Sequence, residues 1–239
     1  MTSVSIVIPM RNEADNVAPL VAGIAEACAD LAAYEILVVD DGSTDDTAAR
    51  VTALMAGLPS LRLIRHDRSG GQSAAVHSGV LAAKALIICT LDGDGQNPPA
   101  ELPKLFTPLL ADATLGLVAG QRVARQDTLS KRLASRFANG LRGWLLKDGT
   151  RDTGCGLKGF RRDAFLRLPY FDHMHRYLPA LFKRDGWQIS LVDVSHAARH
   201  AGTSKYNNLQ RALVGIHDLI GVAWLIRRRK KATPMADEA

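Results

Sequence analysis

The first half of the chain alternates short, mostly apolar runs with longer segments in which apolar residues recur at helical spacing. The apolar runs are residues 4–8, 36–39, 61–64, 86–91 and 115–119, and the helical segments are residues 13–31, 44–55, 72–84 and 101–110. Short runs that are apolar at nearly every position are typical of strands covered on both faces. Because strands and helices alternate, the pattern predicts an α/β domain with a mainly parallel, doubly wound sheet and helices on both faces.

The second half of the chain is less regular. Residues 157–160 and 189–194 are predicted strands, and residues 128–147 have the spacing of a basic amphipathic helix. This helix either packs on the core or lies in a membrane interface. A second basic amphipathic helix is predicted over residues 208–231, where it ends in the run RRRKK, and the polar tail 232–239 is predicted to be disordered.

Composition narrows the class of protein. The 239 residues are 47% hydrophobic and 23% charged, which is ordinary globular usage and excludes a disordered or fibrous chain. The cysteines, Cys28, Cys89 and Cys155, are too few and too far apart for a disulfide framework or a zinc ribbon, and they favour a reducing compartment. The N-terminus lacks the features of a signal peptide, and no segment reaches about 18 consecutive apolar residues. We therefore expect a soluble or membrane-peripheral protein.

Charge is distributed unevenly along the chain. Residues 1–120 hold 7 Lys or Arg against 14 Asp or Glu, whereas residues 121–239 hold 23 against 10. Such an asymmetry indicates that the second half meets an anionic partner, with a merely solvated basic surface as the alternative. An anionic membrane surface is the favoured partner. Nucleic acid is not expected, because the basic half lacks a recognisable reading motif and a platform of stacking aromatic residues.

Two acidic clusters follow predicted strands, at the edge where doubly wound sheets bind their ligands. Asp40 and Asp41 follow the strand 36–39, where a carboxylate could accept hydrogen bonds from a nucleoside or simply organise the turn. Asp92 and Asp94 follow the strand 86–91, and two carboxylates at this spacing suit a hard cation such as Mg²⁺ or Mn²⁺ shared with substrate phosphates. The alternative for this pair is an acidic turn. Gly70-Gly71-Gln72 opens a helix and is by itself a weak phosphate signal.

Taken in order, these motifs resemble the family 2 inverting glycosyltransferases. The resemblance rests on Pro9, Asn12-Glu13, VVDDGSTD (38–45), GGQ (70–72) and LDGDGQNPP (91–99). Downstream, GQR (120–122), SRFAN (135–139), GFRR (159–162), HRYLP (175–179) and Arg199 to Lys205 resemble dolichol-phosphate mannosyltransferase and related polyprenyl-phosphate glycosyltransferases. The resemblance covers residues 3–207 and implies one catalytic domain of the nucleotide-diphospho-sugar (GT-A) fold. Within it, residues 1–120 would form the donor and metal half and residues 121–207 the acceptor half.

The resemblance also implies roles for individual residues. The implied donor-binding residues are Pro9, Asn12, Glu13, Asp40, Asp41, Gly71 and Gln72. Asp92, Asp94 and Gln96 would hold Mg²⁺ or Mn²⁺ against the donor diphosphate. The acceptor phosphate would be received by Arg122, Arg136, Arg199 and Lys205, which with the two metal-binding aspartates form the implied catalytic set.

The implied reaction moves a sugar from a nucleotide-diphosphate donor to a polyprenyl phosphate by single displacement with inversion. Since the acceptor phosphate is already ionised, no general base is required. GDP-mannose ranks first as donor. One alternative is a UDP-linked glucose, uronic acid or aminopentose as the donor, with the same lipid as acceptor. Another is transfer to a saccharide hydroxyl, with Asp152 as the general base. Asp152 could equally be a structural cap. A further alternative is a membrane-binding module on a decayed transferase.

We expect a peripheral protein on the cytoplasmic face of a membrane, docked directly or through an integral partner.

Overall fold

The computed structural model describes residues 3–123, 140, 142–197, 208–230 and 232. Its centre is one seven-stranded sheet with the strand order β3-β2-β1-β4-β6-β5-β7. The strands are β1 (Val4–Met10), β2 (Tyr34–Asp40), β3 (Leu61–Arg65), β4 (Ile87–Thr90), β5 (Leu115–Arg122), β6 (Lys158–Arg161) and β7 (Gln188–Val194). Each of the predicted apolar runs is a strand, as the pattern required.

The sheet is mainly parallel, with a single reversed strand. Strands β3, β2, β1 and β4 pair in parallel, as do β5 and β7, whereas β6 runs antiparallel to both β4 and β5. Because β6 is reversed, its first residue, Lys158, lies opposite Thr90 at the carboxyl end of β4. The segment that enters β6 is thereby brought to the same edge as the acidic loops.

Helices cover both faces of the sheet, as predicted. They are α1 (Val17–Ala27), α2 (Thr47–Met55), α3 (Gln72–Ala82), α4 (Pro103–Ala111), α5 (Arg162–Leu166), α6 (Leu178–Arg184) and α7 (Asn208–Arg227). One core cluster joins Ile6 and Ile8 of β1 to α1 and α4, and the other joins Val7 to α3, α6 and α7. Successive residues of β1 therefore serve opposite cores, which is why the strand is apolar apart from Ser5.

The first two helices differ most from the sequence prediction. Helix α1 begins four residues later and ends four residues earlier than predicted, and a short 3-10 helix, Ala14–Asn16, precedes it. Helix α2 begins three residues later, at Thr47, because the residues before it belong to a loop at the sheet edge. The short helices α5 and α6 were not predicted, since five and seven residues are too few to show a period. The predicted helix 128–147 lies outside the described residues apart from 140 and 142–147, of which 140 and 142–146 are helical. The tail 232–239 also lies outside them, apart from residue 232.

The C-terminal helix α7 packs alongside α6. Val222 and Ala223 of α7 are buried in the second core, Tyr177 donates a hydrogen bond to the carbonyl of Gly215 (3.3 Å), and Arg184 donates one to the carbonyl of Leu225 (3.0 Å). Among the described helices, none has the length and apolar character needed to cross a bilayer. The three cysteines are buried free thiols.

Candidate active site

The ends of β1 and β2 are tied together by Asn12. Its backbone lies in the left-handed region (φ 56°), its N–H donates to Ser43 Oγ (3.0 Å), and its Oδ1 accepts from the Thr44 N–H (2.8 Å). The N–H of Glu13 donates to Thr47 Oγ1 at 3.0 Å, so the next residue extends the same junction. Ser43 and Thr44 are used in this way, and α2 therefore starts only at Thr47.

Asp41 organises the loop that precedes α3. Its carboxylate is buried and accepts four hydrogen bonds, from His66 Nδ1 (2.7 Å), Ser69 Oγ (2.8 Å) and the N–H groups of Gly70 (2.8 Å) and Gly71 (2.9 Å). Burial alone would raise the pKa of Asp41, but these donors offset it and hold the pKa below its ordinary value. Gly71 needs its glycine backbone here, since its φ is 86°.

Asp92 lies just beyond β4 and is held by two amides. Gln72 Nε2 donates to Oδ1 (2.7 Å) and Asn97 Nδ2 donates to Oδ2 (3.1 Å). Burial, followed by the negative charge of Asp94, raises the pKa of Asp92, and these effects outweigh Lys158 and the two amides. The Gln96 N–H donates to Asp94 Oδ1 (3.1 Å), which closes the turn between the predicted metal ligands. Two neighbouring carboxylates carry like charges and repel each other, and a bound cation would relieve this repulsion.

Behind Asp92 the chain is tightly packed. Gly156 lies against the carboxylate, and a Cβ at this position would come within 2.4 Å of its atoms. A narrow cavity of about 10 Å³ lies alongside and is lined by Pro9, Lys158 and His175 among others. Burial lowers the pKa of Lys158, whose Nζ donates to the Cys155 carbonyl, and burial also holds the pKa of His175 well below its ordinary value.

Arg122, at the end of β5, forms a two-pronged ion pair with Asp152. Its Nε donates to Oδ2 (2.5 Å) and its Nη2 to Oδ1 (2.9 Å), and both side chains are largely buried. The hydrogen bond with Asp152 is the main cause of a raised pKa of Arg122. The Gly154 N–H also donates to Asp152 Oδ1 (3.0 Å), so Asp152 organises the loop leading to Gly156. The other predicted acceptor residues, Arg136, Arg199 and Lys205, lie outside the described residues.

Sequence comparison identifies the family. The model of "Glycosyl transferase family 2" matches residues 5–168. The chain belongs to glycosyltransferase family 2. It is 35% identical over 233 residues to dodecaprenyl-phosphate galacturonate synthase of Rhizobium johnstonii, covering 95% of this chain and 68% of the relative. It is 34% identical over 220 residues to undecaprenyl-phosphate 4-deoxy-4-formamido-L-arabinose transferase of Sodalis glossinidius, covering 91% and 66%. The chain thus spans about two thirds of the length of these relatives.

Solved structures show the fold of this glycosyltransferase. Glucosyl-3-phosphoglycerate synthase of Mycobacterium tuberculosis, in complex with Mn²⁺, UDP-glucose and glycerol 3-phosphate, aligns with a TM-score of 0.69 over 98% of this chain and 83% of that one. The same enzyme with Mg²⁺ and UDP aligns with a TM-score of 0.70. Identity is 20% in both cases, so the likeness concerns the fold. The predicted GT-A fold is confirmed.

Most of the residues predicted to bind the donor and the metal lie at one edge of the sheet, where hydrogen bonds connect them. Asn12 and Glu13 reach the loop after β2, Asp40 accepts from the Ser43 N–H (3.0 Å), and Gly71 connects Asp41 to the helix whose first residue, Gln72, reaches Asp92. Their roles toward substrate stay predictions. Three neighbours carried no assignment from sequence: Asn97, Lys158 and His175. Asn97 could have been assigned from its position in the LDGDGQNPP run, whereas Lys158 and His175 are brought in by β6 and the segment before α6.

The oxygen ligands that Asp92, Asp94 and Gln96 offer in this glycosyltransferase are suited to a hard divalent cation. The described residues contain no group of three or more His, Cys, Asp or Glu side chains arranged to hold a metal. A pair of carboxylates matches the way Mg²⁺ binds, through one or two carboxylates and the oxygens of a substrate phosphate. Burial, followed by the negative charge of Asp94, raises the pKa of Asp92, and a bound cation would favour the ionised carboxylate against both effects. Asp92 and Asp94, with Gln96 beside them, fit this requirement.

Proposed function

We propose that this glycosyltransferase moves a sugar from a nucleotide-diphosphate donor to a polyprenyl phosphate. The observation that carries the proposal is Asp92, fixed by Gln72 and Asn97 next to Asp94 at the carboxyl edge of the sheet. Ligands of doubly wound sheets bind at this edge, which supports a site here for a metal-bound diphosphate. The acceptor follows from the two relatives, both of which are named for transfer to a polyprenyl phosphate.

For the donor, the relatives favour the alternative over mannose. One is named for galacturonate and the other for 4-deoxy-4-formamido-L-arabinose, a uronic acid and an aminopentose derivative. The structural neighbour was crystallised with UDP-glucose. We therefore propose a UDP-linked uronic acid or aminopentose as the donor, ahead of the GDP-mannose that the resemblance ranked first.

The proposed site residues form two groups, one that acts on the leaving group and one that binds the nucleophile. Mg²⁺ or Mn²⁺, held by Asp92, Asp94 and Gln96, would neutralise the charge that develops on the departing nucleotide diphosphate. Arg122, with Arg136, Arg199 and Lys205, would receive the acceptor phosphate, whose oxygen attacks the anomeric carbon from the opposite side. The bond to the diphosphate breaks as the new one forms, and the product is an inverted glycosyl phosphate.

Transfer to a saccharide hydroxyl is less well supported. That reaction needs a general base, for which Asp152 is the sequence candidate. Both oxygens of Asp152 are engaged by Arg122, and Oδ1 also accepts from Gly154. A carboxylate clamped in this way is suited to holding the loop and the guanidinium rather than to removing a proton. A decayed, non-catalytic module is disfavoured by the intact Asp92 and Asp94.

We propose that α7 places the protein on an anionic membrane surface, at the cytoplasmic face. Ile216, Ile220 and Trp224 recur every four residues on α7 and are more than half exposed. Val222 and Ala223, on the other side of the helix, are buried in the core. A helix with one apolar face in solvent and a run of basic residues at its end is typical of interfacial helices. Recruitment by an integral partner is the alternative.

A transfer assay tests the proposed function. A panel of UDP- and GDP-sugars would be offered with Mg²⁺ or Mn²⁺ to a short polyprenyl phosphate in detergent. We expect a lipid-linked, mild-acid-labile product with a UDP-uronic acid or UDP-aminopentose, and none with Asp92→Ala. A product with GDP-mannose alone would restore mannose as the donor, and transfer to a saccharide hydroxyl alone would overturn the polyprenyl acceptor.

A further inference from the structure

A cavity of about 460 Å³ lies between α6, the end of α7 and the last residues of the 142–146 helical segment with Lys147. Five basic residues line it: Lys147, Lys183, Arg184, Arg227 and Arg229. None of the described residues that line it is acidic. Apolar side chains form the rest of the wall, including Trp144, Leu145 and Ile226. A cavity of this volume is in the range that accommodates a small ligand.

The cavity is separate from the candidate active site. Helix α6 starts just after His175, which lines the space behind Asp92, and ends at Arg184, which lines the basic cavity. Seven helical residues span about 10 Å. Strand β7 starts shortly after Arg184, so the cavity lies toward the amino edge of β7, whereas the acidic loops lie at the carboxyl edge of the sheet.

The positive charge in the cavity is only partly compensated. Lys183 Nζ donates to the Lys147 carbonyl (2.7 Å), and Arg229 Nη1 donates to the Arg184 carbonyl (3.1 Å). These partners are neutral backbone groups, which orient the side chains without cancelling their charge. Arg184 pairs with Asp185 Oδ1 (2.8 Å). Cationic groups that converge around a concave wall form a site for an anion, and arginine is especially suited to a phosphate.

The apolar side chains in the wall of the cavity indicate the kind of molecule to which the bound anionic group belongs. Trp144, which lines the cavity, is 72% exposed. Trp224 and Ile220 of α7 do not line the cavity and are 59% and 63% exposed. A tryptophan at the mouth of a basic cavity suits the boundary between headgroups and acyl chains. A small soluble anion would gain nothing from Trp144 and Ile226, whereas the first methylene groups of a lipid would cover them.

We propose that this cavity binds the headgroup of an anionic phospholipid, with its phosphate among the five basic residues and the start of an acyl chain against Trp144 and Ile226. The proposal rests on the membrane contact proposed above and names a defined lipid site within it. Such a site would fix the orientation of α7 on the membrane, and with it the candidate active site at the other end of α6. General attraction of a basic tail to the surface gives no such fixed orientation.

The first experiment compares two variants of equal charge. Lys183→Gln/Arg227→Gln removes two charges that line the cavity, and Arg228→Gln/Lys230→Gln removes two exposed charges that do not. Binding would be measured by sedimentation with phosphatidylcholine vesicles with and without phosphatidylglycerol. We expect the cavity pair to weaken binding to the anionic vesicles about tenfold more than the control pair. Equal weakening by both pairs would show that attraction is diffuse and would overturn the site.

The second experiment separates a lipid from a free phosphate. Monomeric short-chain phosphatidylglycerol would be titrated into the wild-type protein while tryptophan emission is followed, with glycerol phosphate as the matched headgroup. We expect the lipid to shift the emission, the shift to disappear in Trp144→Phe, and glycerol phosphate to have no effect. Equal responses to both probes would assign the cavity to a soluble phosphate instead. UDP binding and transfer in detergent should be unchanged in both double variants, so loss of these activities would concern the proposed function and not this cavity.

Discussion

Gln72 and Asp92 join the first residue of α3 to the end of β4 through a 2.7 Å hydrogen bond between Nε2 and Oδ1. Asn97 donates to the other oxygen of Asp92 at 3.1 Å. Each carboxylate oxygen has about two acceptor positions, so the amides fix the orientation of Asp92 and leave one position on each oxygen for a ligand. Gln72, which the resemblance places among the donor-binding residues, contacts Asp92 in the structure, and we propose that it positions this carboxylate.

We predict that Gln72→Ala lowers kcat/KM about 10–100-fold and raises the concentration of Mg²⁺ needed for half-maximal activity. The reason is that Asp92 loses the donor that orients it. Gln188→Ala, at the exposed start of β7, serves as the control and should have wild-type activity. The measurement is a Mg²⁺ titration of transfer. A variant with reduced kcat/KM but an unchanged Mg²⁺ dependence would place Gln72 on the donor and not on the carboxylate.

The close packing of Gly156 on Asp92 gives a second prediction. A methyl group at this position would lie 2.4 Å from the carboxylate, so Gly156→Ala must displace Asp92 from its amide partners. We expect at least a tenfold loss of kcat/KM with a melting temperature close to that of the wild type. Gly221→Ala, on α7, adds the same methyl group where no atom lies within 4 Å and should leave activity unchanged. Full activity of Gly156→Ala would remove the requirement for this orientation of Asp92.

Most strands of this fold could be predicted because they contain short runs made up largely of apolar residues. Val7 and Ile8 of β1 face two different cores, so a strand in the middle of the sheet needs apolar side chains on both faces. The reversal of β6 has no such signature, since the direction of a strand depends on the connections around it. The start of α2 was predicted too early, because Asn12 draws Ser43 and Thr44 into a loop contact across 31 or 32 residues of sequence.

The candidate site was predictable where its residues belong to compact motifs. Asp92 and Asp94 share one turn, and Asp40 and Asp41 share another. The two partners of Asp92 are different in kind: Asn97 lies 5 residues away in the same run, whereas Gln72 lies 20 residues away. Lys158 and His175 reach the site only through the tertiary fold, so no spacing rule indicates them. The saturation of Asp41 by four donors likewise depends on how the 66–71 segment folds back.

Glu35 provides a prediction about pH and stability. Its buried carboxylate accepts from Ser5 Oγ, Arg62 Nη1 and the Lys84 N–H, each at 2.6 Å. Burial alone would raise the pKa of Glu35, but these donors outweigh it and lower the pKa. A lowered pKa in the folded state adds stability that is fully present above the unfolded value of about 4.3 and is lost as pH falls through the folded value.

We therefore expect Glu35→Gln to lower the free energy of unfolding by about 2 kcal/mol at neutral pH, because the amide places a donor among donors. The difference between wild type and variant should narrow as pH falls below about 4. Urea unfolding at several pH values measures it, and Glu26→Gln, on an exposed part of α1, is the control. A difference that stays constant down to the acid transition would mean that charge at Glu35 is irrelevant to stability.

Substitutions at Arg122 and Asp152 test whether Arg122 binds the acceptor phosphate. Its guanidinium is held by both oxygens of Asp152, so it is oriented before any substrate arrives. If it receives the acceptor phosphate, Arg122→Lys should raise the KM for polyprenyl phosphate about tenfold or more and change the KM for the donor by less than about threefold, since lysine keeps the charge but loses the fork. Asp152→Asn separates this role from a structural one. It keeps Arg122 but loosens the loop that leads to Gly156, so it should affect both substrates alike. Steady-state kinetics with each substrate varied in turn measures these effects, and identical profiles for the two variants would reduce Arg122 to a support for that loop.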